Sequence, residues 1–333
     1  MRVAVVGAGA MGTLLGHGFC KGGHDVTVLD LPARVAELQS TGRLIVIRED
    51  GSESAVIPSL ITTDYRNAGT HDVVVMATKS QDLPAIAGVV AKLADDKSTI
   101  VPIQNGIPWW YLHGLVTDFG VTQIRCLDPD ALLEDLIDPS QVVGCVAYPA
   151  ATMESDGRVR HVEGKNLPIG ELDGSLTKRT LQIASLFEDA GFKSRVIDDI
   201  RSEIWLKALG ALSINPVSAL TRATIEDICT FTPTRELIAQ MMREAQGLAM
   251  ELGVTFRHTI ERRIEGAEAV GQHKTSMLQD VENRRPLELE GLMLAIMELA
   301  DITGRKIPTI RSIYACAALL SESLRSIERP TLG

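Results

Sequence analysis

The chain opens Met1-Arg-Val-Ala-Val-Val-Gly7-Ala8-Gly9-Ala10-Met11-Gly12, and no other stretch limits the possible folds as much. A β-branched run at 3–6 breaks into Gly-x-Gly-x-x-Gly, and an apolar segment at 13–15 follows. That order predicts strand, tight turn and helix, the context in which a glycine triplet marks a dinucleotide site. Gly7 permits the turn, Gly9 leaves room for backbone to approach a pyrophosphate, and Gly12 lets the helix pack close to the strand. Unpaired N–H groups and the partial positive charge of the helix start would face the phosphates. An ordinary strand-to-helix turn is the plain alternative. Placement of the strand at the very start of the chain favours the nucleotide reading, with Gly7, Ala8, Gly9, Ala10, Met11 and Gly12 as its contacts.

A second strand pattern at 24–29 ends in Asp30, eighteen positions after Gly12. An acidic residue about 20 positions on is where the adenosine ribose is read. Its carboxylate accepts hydrogen bonds from ribose hydroxyls and repels a 2′-phosphate, which favours NADH. Arg34 lies four residues later and could hold a phosphate if the loop folded back, so NADPH stays open. Asp30 also suits a simple turn before Pro32.

Strand and helix patterns alternate through the first half. Apolar runs at 71–76 and 98–103 look like strands buried on both faces, separated by helix patterns at 33–39 and 82–94. The strand patterns at 142–148, 158–161 and 167–169 read as outer, partly antiparallel members of the same sheet. A helix at 176–190 and a strand at 192–197 follow. From Asp198 the pattern is helical: 200–214, 234–252, 258–270, 286–303 and 309–324. The expected fold is α/β: an N-terminal Rossmann-type doubly wound sheet over 1–197, then an all-helical domain over 198–333, with the active site between them.

Composition narrows the partners. Net charge is −10, with no Lys/Arg cluster to break it, so nucleic acid and anionic membrane surfaces are poor partners. No apolar run approaches bilayer-spanning length. Five scattered cysteines without a Cys-x-x-Cys pair indicate a reduced, cytoplasmic compartment and no bound metal. Long apolar helical stretches such as 292–300 could supply a homodimer interface.

Four further segments carry possible chemistry. Ala77-Thr78-Lys79-Ser80 ends one predicted strand, at the edge where open α/β sheets bind ligands, although a solvated loop lysine fits equally. Gln104-Asn105-Gly106 ends another. Asn-Gly is first a turn signal, yet the Asn105 amide could meet nicotinamide or substrate. In the helix pattern from 200, Lys207, Ala211 and Asn215 share one face at i, i+4 and i+8. An amine and an amide there suit protonation and orientation of a carbonyl oxygen; a solvated Glu203–Lys207 pair is the alternative. Pro216 should kink or end that helix. Finally, Ser276-x-x-Gln279 has capping-box spacing, and Glu288 falls in the first turn after Pro286, so helix capping explains both.

Taken in order, these segments resemble the ketopantoate reductase family along the whole chain. The resemblance runs through the glycine loop, Lys79, Gln104-Asn105-Gly106, Gly157-Arg-Val-Arg-His161, Ile169-Gly170-Glu171 and Trp205-x-Lys207. It continues with Asn215-Pro216, Ser276-Met-Leu-Gln-Asp280, Glu288 and Lys306-Ile-Pro308. It implies an NAD(P)H-dependent reductase of a small-molecule 2-oxo acid, with Lys207 as proton donor to the 2-oxo group. Asn105, Asn215 and Ser276 would hold the substrate. Lys79 and Asn105 would contact the cofactor, and Glu288 would order the catalytic site beside lysine and cofactor. Two positions depart from the family pattern. Ala211 stands where an asparagine is usual one turn after the lysine. Leu31, beside Asp30, stands where NADP-dependent members carry arginine. The aromatic run Trp109-Trp110-Tyr111 is either packing or bulk that reshapes the acyl pocket. A β-hydroxyacid or opine-type dehydrogenase with another oxo acid, and a non-catalytic nucleotide sensor, remain the alternatives.

Overall fold

A computed structural model describes residues 1–115 and 119–327. Two compact units emerge: Met1–Gln104 with Asp128–Ile200, and Asn105–Leu127 with Arg201–Gly333. The last residues of the second unit, 328–333, lie outside the described part, as do 116–118. The segment 105–127 sits by sequence inside the expected 1–197 domain, but it groups with the helical residues.

The first unit is built on a parallel five-stranded sheet. Its elements run β1 (Arg2–Val6), α1 (Ala10–Lys21), β2 (Asp25–Leu29), α2 (Pro32–Thr41), β3 (Leu44–Ile47), β4 (Glu53–Val56), β5 (Leu60–Thr62), β6 (Val73–Met76), α3 (Leu83–Leu93) and β7 (Thr99–Pro102). The sheet order is β5-β2-β1-β6-β7, with every pairing parallel. Val3 to Val6 and Val73 to Met76 are buried throughout, as expected of strands covered on both faces. The chain steps outward from β1 through β2 to β5, then returns to the other side for β6 and β7. The loops after β1 and β6 therefore flank the switch point, where such sheets bind their ligands.

The rest of this unit comprises α4 (Leu132–Leu136), β8 (Val143–Cys145), β9 (Ala150–Met153), β10 (Val159–Glu163), β11 (Ile169–Glu171) and α5 (Lys178–Asp189). The expectation that these strands flank the parallel sheet holds for β8, beside which Val142 bridges Ile100 of β7 in parallel, but not for β9 and β10. β9 and β10 join β3 and β4 in a separate sheet, order β4-β3-β10-β9, and β8 pairs antiparallel with β11. The physical reason is α1, whose buried face (Leu14, Leu15, Phe19) shares one core with β1 and with Leu44, Val46 and Val159 of the second sheet. Two layers are needed to cover a helix so apolar. Residues 192–197 make only isolated bridges, at Lys193 and Val196, rather than a strand.

The second unit is helical: α6 (Ile200–Thr221, entered from the first unit's last residue), α7 (Ile225–Thr230), α8 (Thr232–Glu251), α9 (Ile260–Glu268), α10 (Ser276–Glu282), α11 (Ala295–Thr303) and α12 (Pro308–Ile327). Pro216 lies inside α6 and does not end it. Buried side chains on both sides of the proline, Leu212 and Ile214 before it and Val217 and Ala219 after it, hold the helix together despite the missing N–H. The apolar stretch 292–300 is consumed by this core: Leu292, Met293, Ile296 and Leu299 are at most 1% exposed, so it cannot serve as a dimer face. A buried carboxylate fixes one helix start, with Glu244 accepting the N–H groups of Thr309 and Ile310, both at 3.1 Å. No described helix is long and apolar enough to cross a membrane.

Candidate active site

The glycine loop has the geometry its sequence implies. Gly7 adopts φ +100°, and a Cβ there would lie 2.8 Å from the Thr78 backbone nitrogen. A Cβ on Gly12 would stand 1.8 Å from the Gly7 carbonyl oxygen, so α1 begins pressed against the turn. Gly9 is different, being exposed with nothing within 4 Å of its would-be Cβ. Two glycines close the turn and the third leaves open space over it, which fits the approach of a pyrophosphate.

Asp30 sits at the end of β2 and faces this loop. Its carboxylate accepts the Ala8 N–H, and the Leu31 N–H at 2.6 Å. Lys79 follows β6 at the start of a single 3₁₀ turn, Ser80–Asp82, whose preceding residues pack on Gly7. Beside it, Gln104 donates to the carbonyls of Met76 (2.7 Å) and Thr78 (3.1 Å). That leaves the buried Gln104 Oε1 and Thr78 Oγ1 without hydrogen-bond partners among the described residues. The segments that hold these two acceptors stood out in the sequence, but neither side chain had a role of its own there. Their only advance signal was position, just past a strand.

In the helical unit, three of the anticipated residues come together. Lys207 Nζ on α6 donates to Asn105 Oδ1 at 2.6 Å, and Asn105 Nδ2 lies 3.4 Å from Glu288 Oε2. The amide thus turns its oxygen to the ammonium and its NH₂ to the carboxylate. The reverse orientation would set like against like. Asn105 is held there by Gly106, which adopts φ +84°. A Cβ on Gly106 would sit 2.2 Å from the Gly291 carbonyl oxygen, and the Ile107 N–H donates to that same oxygen at 2.8 Å. Backbone therefore meets backbone immediately beside the Lys207–Asn105–Glu288 chain.

Glu288 is not in a helical first turn. Residues 286–289 are irregular, a π-turn occupies Glu290–Leu294, and α11 starts only at Ala295. The Leu287 N–H is taken by Ser321 Oγ at 3.1 Å, and that tertiary bond keeps the chain out of a helix here. The capping at α10 is also shifted by one residue: Thr275 accepts the Leu278 N–H, and Ser276 is exposed as the first helical residue. Asn215 is half-buried on the Lys207 face of α6, about 12 Å further along the axis. Neither Asn215 nor Ser276 makes a side-chain hydrogen bond among the described residues, so both keep their full capacity for a ligand.

The aromatic run is core. Trp109, Trp110 and Tyr111 are at most 5% exposed. Trp205 Nε1 donates to the Tyr111 hydroxyl at 2.7 Å, with the rings edge to face, and Arg201 Nε donates to the Tyr111 carbonyl at 2.9 Å. These bonds staple 109–113 to the start of α6, which is why the segment belongs with the helices. Burial pushes the Cys20 and Cys229 thiols up to about 11, which makes both poor nucleophiles.

An oriented ammonium, in a protein that also carries a Rossmann nucleotide loop, is the equipment of an oxidoreductase. The comparisons narrow this. The model of the ketopantoate reductase PanE/ApbA family matches residues 3–174, and its C-terminal companion matches 199–321. A 2-dehydropantoate 2-reductase of Mesorhizobium japonicum is 38% identical over 96% of this chain and 98% of its own. A solved structure from Ralstonia solanacearum, described as a ketopantoate reductase, shares 30% identity at TM-score 0.90, covering 97% of this chain and 98% of that one. D-mandelate dehydrogenase in complex with NADH and anilino(oxo)acetate has the same fold, at 18% identity and TM-score 0.82, over 98% of this chain and all of its own. The chain belongs to the ketopantoate reductase family of oxidoreductases.

Proposed function

We propose that this protein reduces a small 2-oxo acid to the 2-hydroxy acid, of the ketopantoate-to-pantoate type, with Lys207 as the proton donor. The observation that carries the reading is the chain Lys207 Nζ–Asn105 Oδ1 at 2.6 Å and Asn105 Nδ2–Glu288 Oε2 at 3.4 Å. A nicotinamide dinucleotide, when bound at loop 7–12, supplies the hydride that converts the carbonyl carbon to an alkoxide centre. Everything else falls to the protein. Lys207 places a positive charge beside the forming oxyanion and gives it a proton, leaving a neutral amine to be recharged from solvent. One of its N–H groups is donated to Asn105, which orients the ammonium. Glu288 acts through Asn105 as a positioning group, because its carboxylate fixes which way the amide faces. Asn215 and Ser276 hold the substrate hydroxyl and carboxylate, and Lys79 contacts the cofactor.

Asp30 supports NADH over NADPH, since a carboxylate facing loop 7–12 suits a ribose diol better than a phosphate. Ala211, with no polar group one turn after Lys207, supports an oxo acid other than ketopantoate as the second reading. We place the enzyme in the cytoplasm, in keeping with five free thiols. We also read it as a homodimer through helical-unit surfaces that expose Phe231 and Leu319, which light scattering would test.

The experiment is steady-state oxidation of NADH and NADPH with ketopantoate, pyruvate and bulkier 2-oxo acids, on wild type and Lys207→Ala. Turnover in wild type that falls by about 10²–10⁴-fold in the variant, with nucleotide still bound, is the expected result. Near-normal turnover without the lysine would remove it from the mechanism. Turnover only with bulkier acids would favour the second reading.

A further inference from the structure

We propose that Glu37 sets the choice between the two nicotinamide dinucleotides, by keeping Arg34 occupied. The inference rests on reading loop 7–12 as the dinucleotide site. Arg34, in the first turn of α2 and four residues past Asp30, is the cation placed to take a 2′-phosphate. The structure spends it elsewhere. Its Nε donates to the Ala8 carbonyl at 2.9 Å. One terminal nitrogen donates to Thr13 Oγ1 and to the Gly157 carbonyl, both at 3.2 Å, and the other donates to Glu37 Oε2 at 2.7 Å. Four bonds against five N–H groups leave a guanidinium with little to offer a ligand.

The pair is built into the unit rather than lying on it. The Arg34 side chain is only 13% exposed, unlike an ordinary surface partner of a glutamate three residues on. Gly157, at φ +81° in the turn between β9 and β10, brings its backbone against the two side chains. A Cβ there would fall 1.9 Å from Glu37 Oε1 and 3.0 Å from the Arg34 nitrogen. The Ala8 main chain is held on both sides, its N–H by Asp30 and its C=O by Arg34. Around it stand two carboxylates and one guanidinium, a net charge of −1 that a phosphate dianion must enter. Neutralising Glu37 brings the sum to zero and releases one terminal nitrogen of Arg34. A ribose diol needs neither change, because it donates to Asp30.

Binding separates these effects from catalysis. Dissociation constants for NADH and for NADPH would be read from nicotinamide fluorescence at fixed ionic strength, on the full chain. Wild type, Glu37→Gln, Glu37→Ala and the double variant Glu37→Gln/Arg34→Gln would be compared. Glu37→Gln should tighten NADPH about tenfold, the size of one charge-assisted hydrogen bond gained, and leave NADH within about twofold. Glu37→Ala should do the same if glutamine refills the contact, and the double variant should lose the gain. An unchanged NADPH-to-NADH ratio in both single variants, or a gain that survives without Arg34, would overturn the proposal. Failure of wild type to bind either dinucleotide would overturn the reading of the loop beneath it.

Discussion

Gly106→Ala tests whether the placement of Asn105 is set by backbone packing. Alanine at φ +84° pays about 1–2 kcal/mol for the left-handed conformation. Its Cβ would also stand 2.2 Å from the Gly291 oxygen and 2.3 Å from the Gly291 carbonyl carbon. Ordinary contact begins roughly 1 Å further out, and neither atom can rotate away because both are main chain. The turn must therefore retreat by about that distance, breaking the 2.8 Å bond from the Ile107 N–H to Gly291 at a further cost of about 1 kcal/mol. Together these predict a loss of about 2–3 kcal/mol in stability, measured by urea unfolding. Asn105 moves with the turn, and its bonds to Lys207 at 2.6 Å and to Glu288 at 3.4 Å are lost. A displacement of about 1 Å in a positioning group costs on the order of 10²-fold in kcat. Nucleotide affinity, proposed to rest chiefly on loop 7–12 in the other unit, should change far less than kcat. Unchanged stability would refute the steric argument. A stability loss with normal kcat would refute the role given to Asn105.

Gly9→Ala should do the opposite: with nothing within 4 Å of the new methyl group the fold should be as stable as wild type, while fluorescence titration shows dinucleotide affinity weakened by at least about tenfold. Tight binding in this variant would mean that the space over Gly9 is not where the pyrophosphate lies. A pH dependence follows from His17, whose pKa is pushed down to about 4, chiefly by burial and then by the nearby Lys21 and Arg48. The native side chain stays neutral while the unfolded one protonates near its ordinary value, so stability is intact above pH 6.5 and falls as pH drops toward 4, by up to about 3 kcal/mol. His17→Gln should flatten that part of the stability profile, and an unaltered slope would show that other groups carry it.

The elements most legible in the sequence were those whose burial is uniform. β1, β2, β6 and β7 are apolar runs covered on both faces, and the candidate loop residues follow directly at their ends. β4 and β5 escaped notice because their residues are half-exposed or exposed, so no alternation or run stands out. The second sheet could not be foreseen for a different reason. It pairs Val46 with Val159 and Ile47 with Arg160, partners that no local pattern relates. At the site, strand-end position pointed to Asn105 and helix spacing pointed to Lys207. Nothing in either segment states that one would donate to the other across an intervening stretch of sheet and loop. Glu288 was found by family resemblance, but its irregular backbone depends on Ser321, a contact visible only in three dimensions.

The path of the chain through the two units has a consequence for synthesis. It leaves the sheet unit after Gln104, returns at Asp128, and leaves again after Ile200. A growing polypeptide therefore completes its nucleotide loop, with Gly9 and Asp30 in place, before any residue of the main helical block exists. Asn105 is made early and has to wait until Lys207 and at last Glu288 emerge. Competence for the proposed proton transfer is thus among the last properties the nascent chain acquires. No single cut in the sequence separates a binding half from a reacting half.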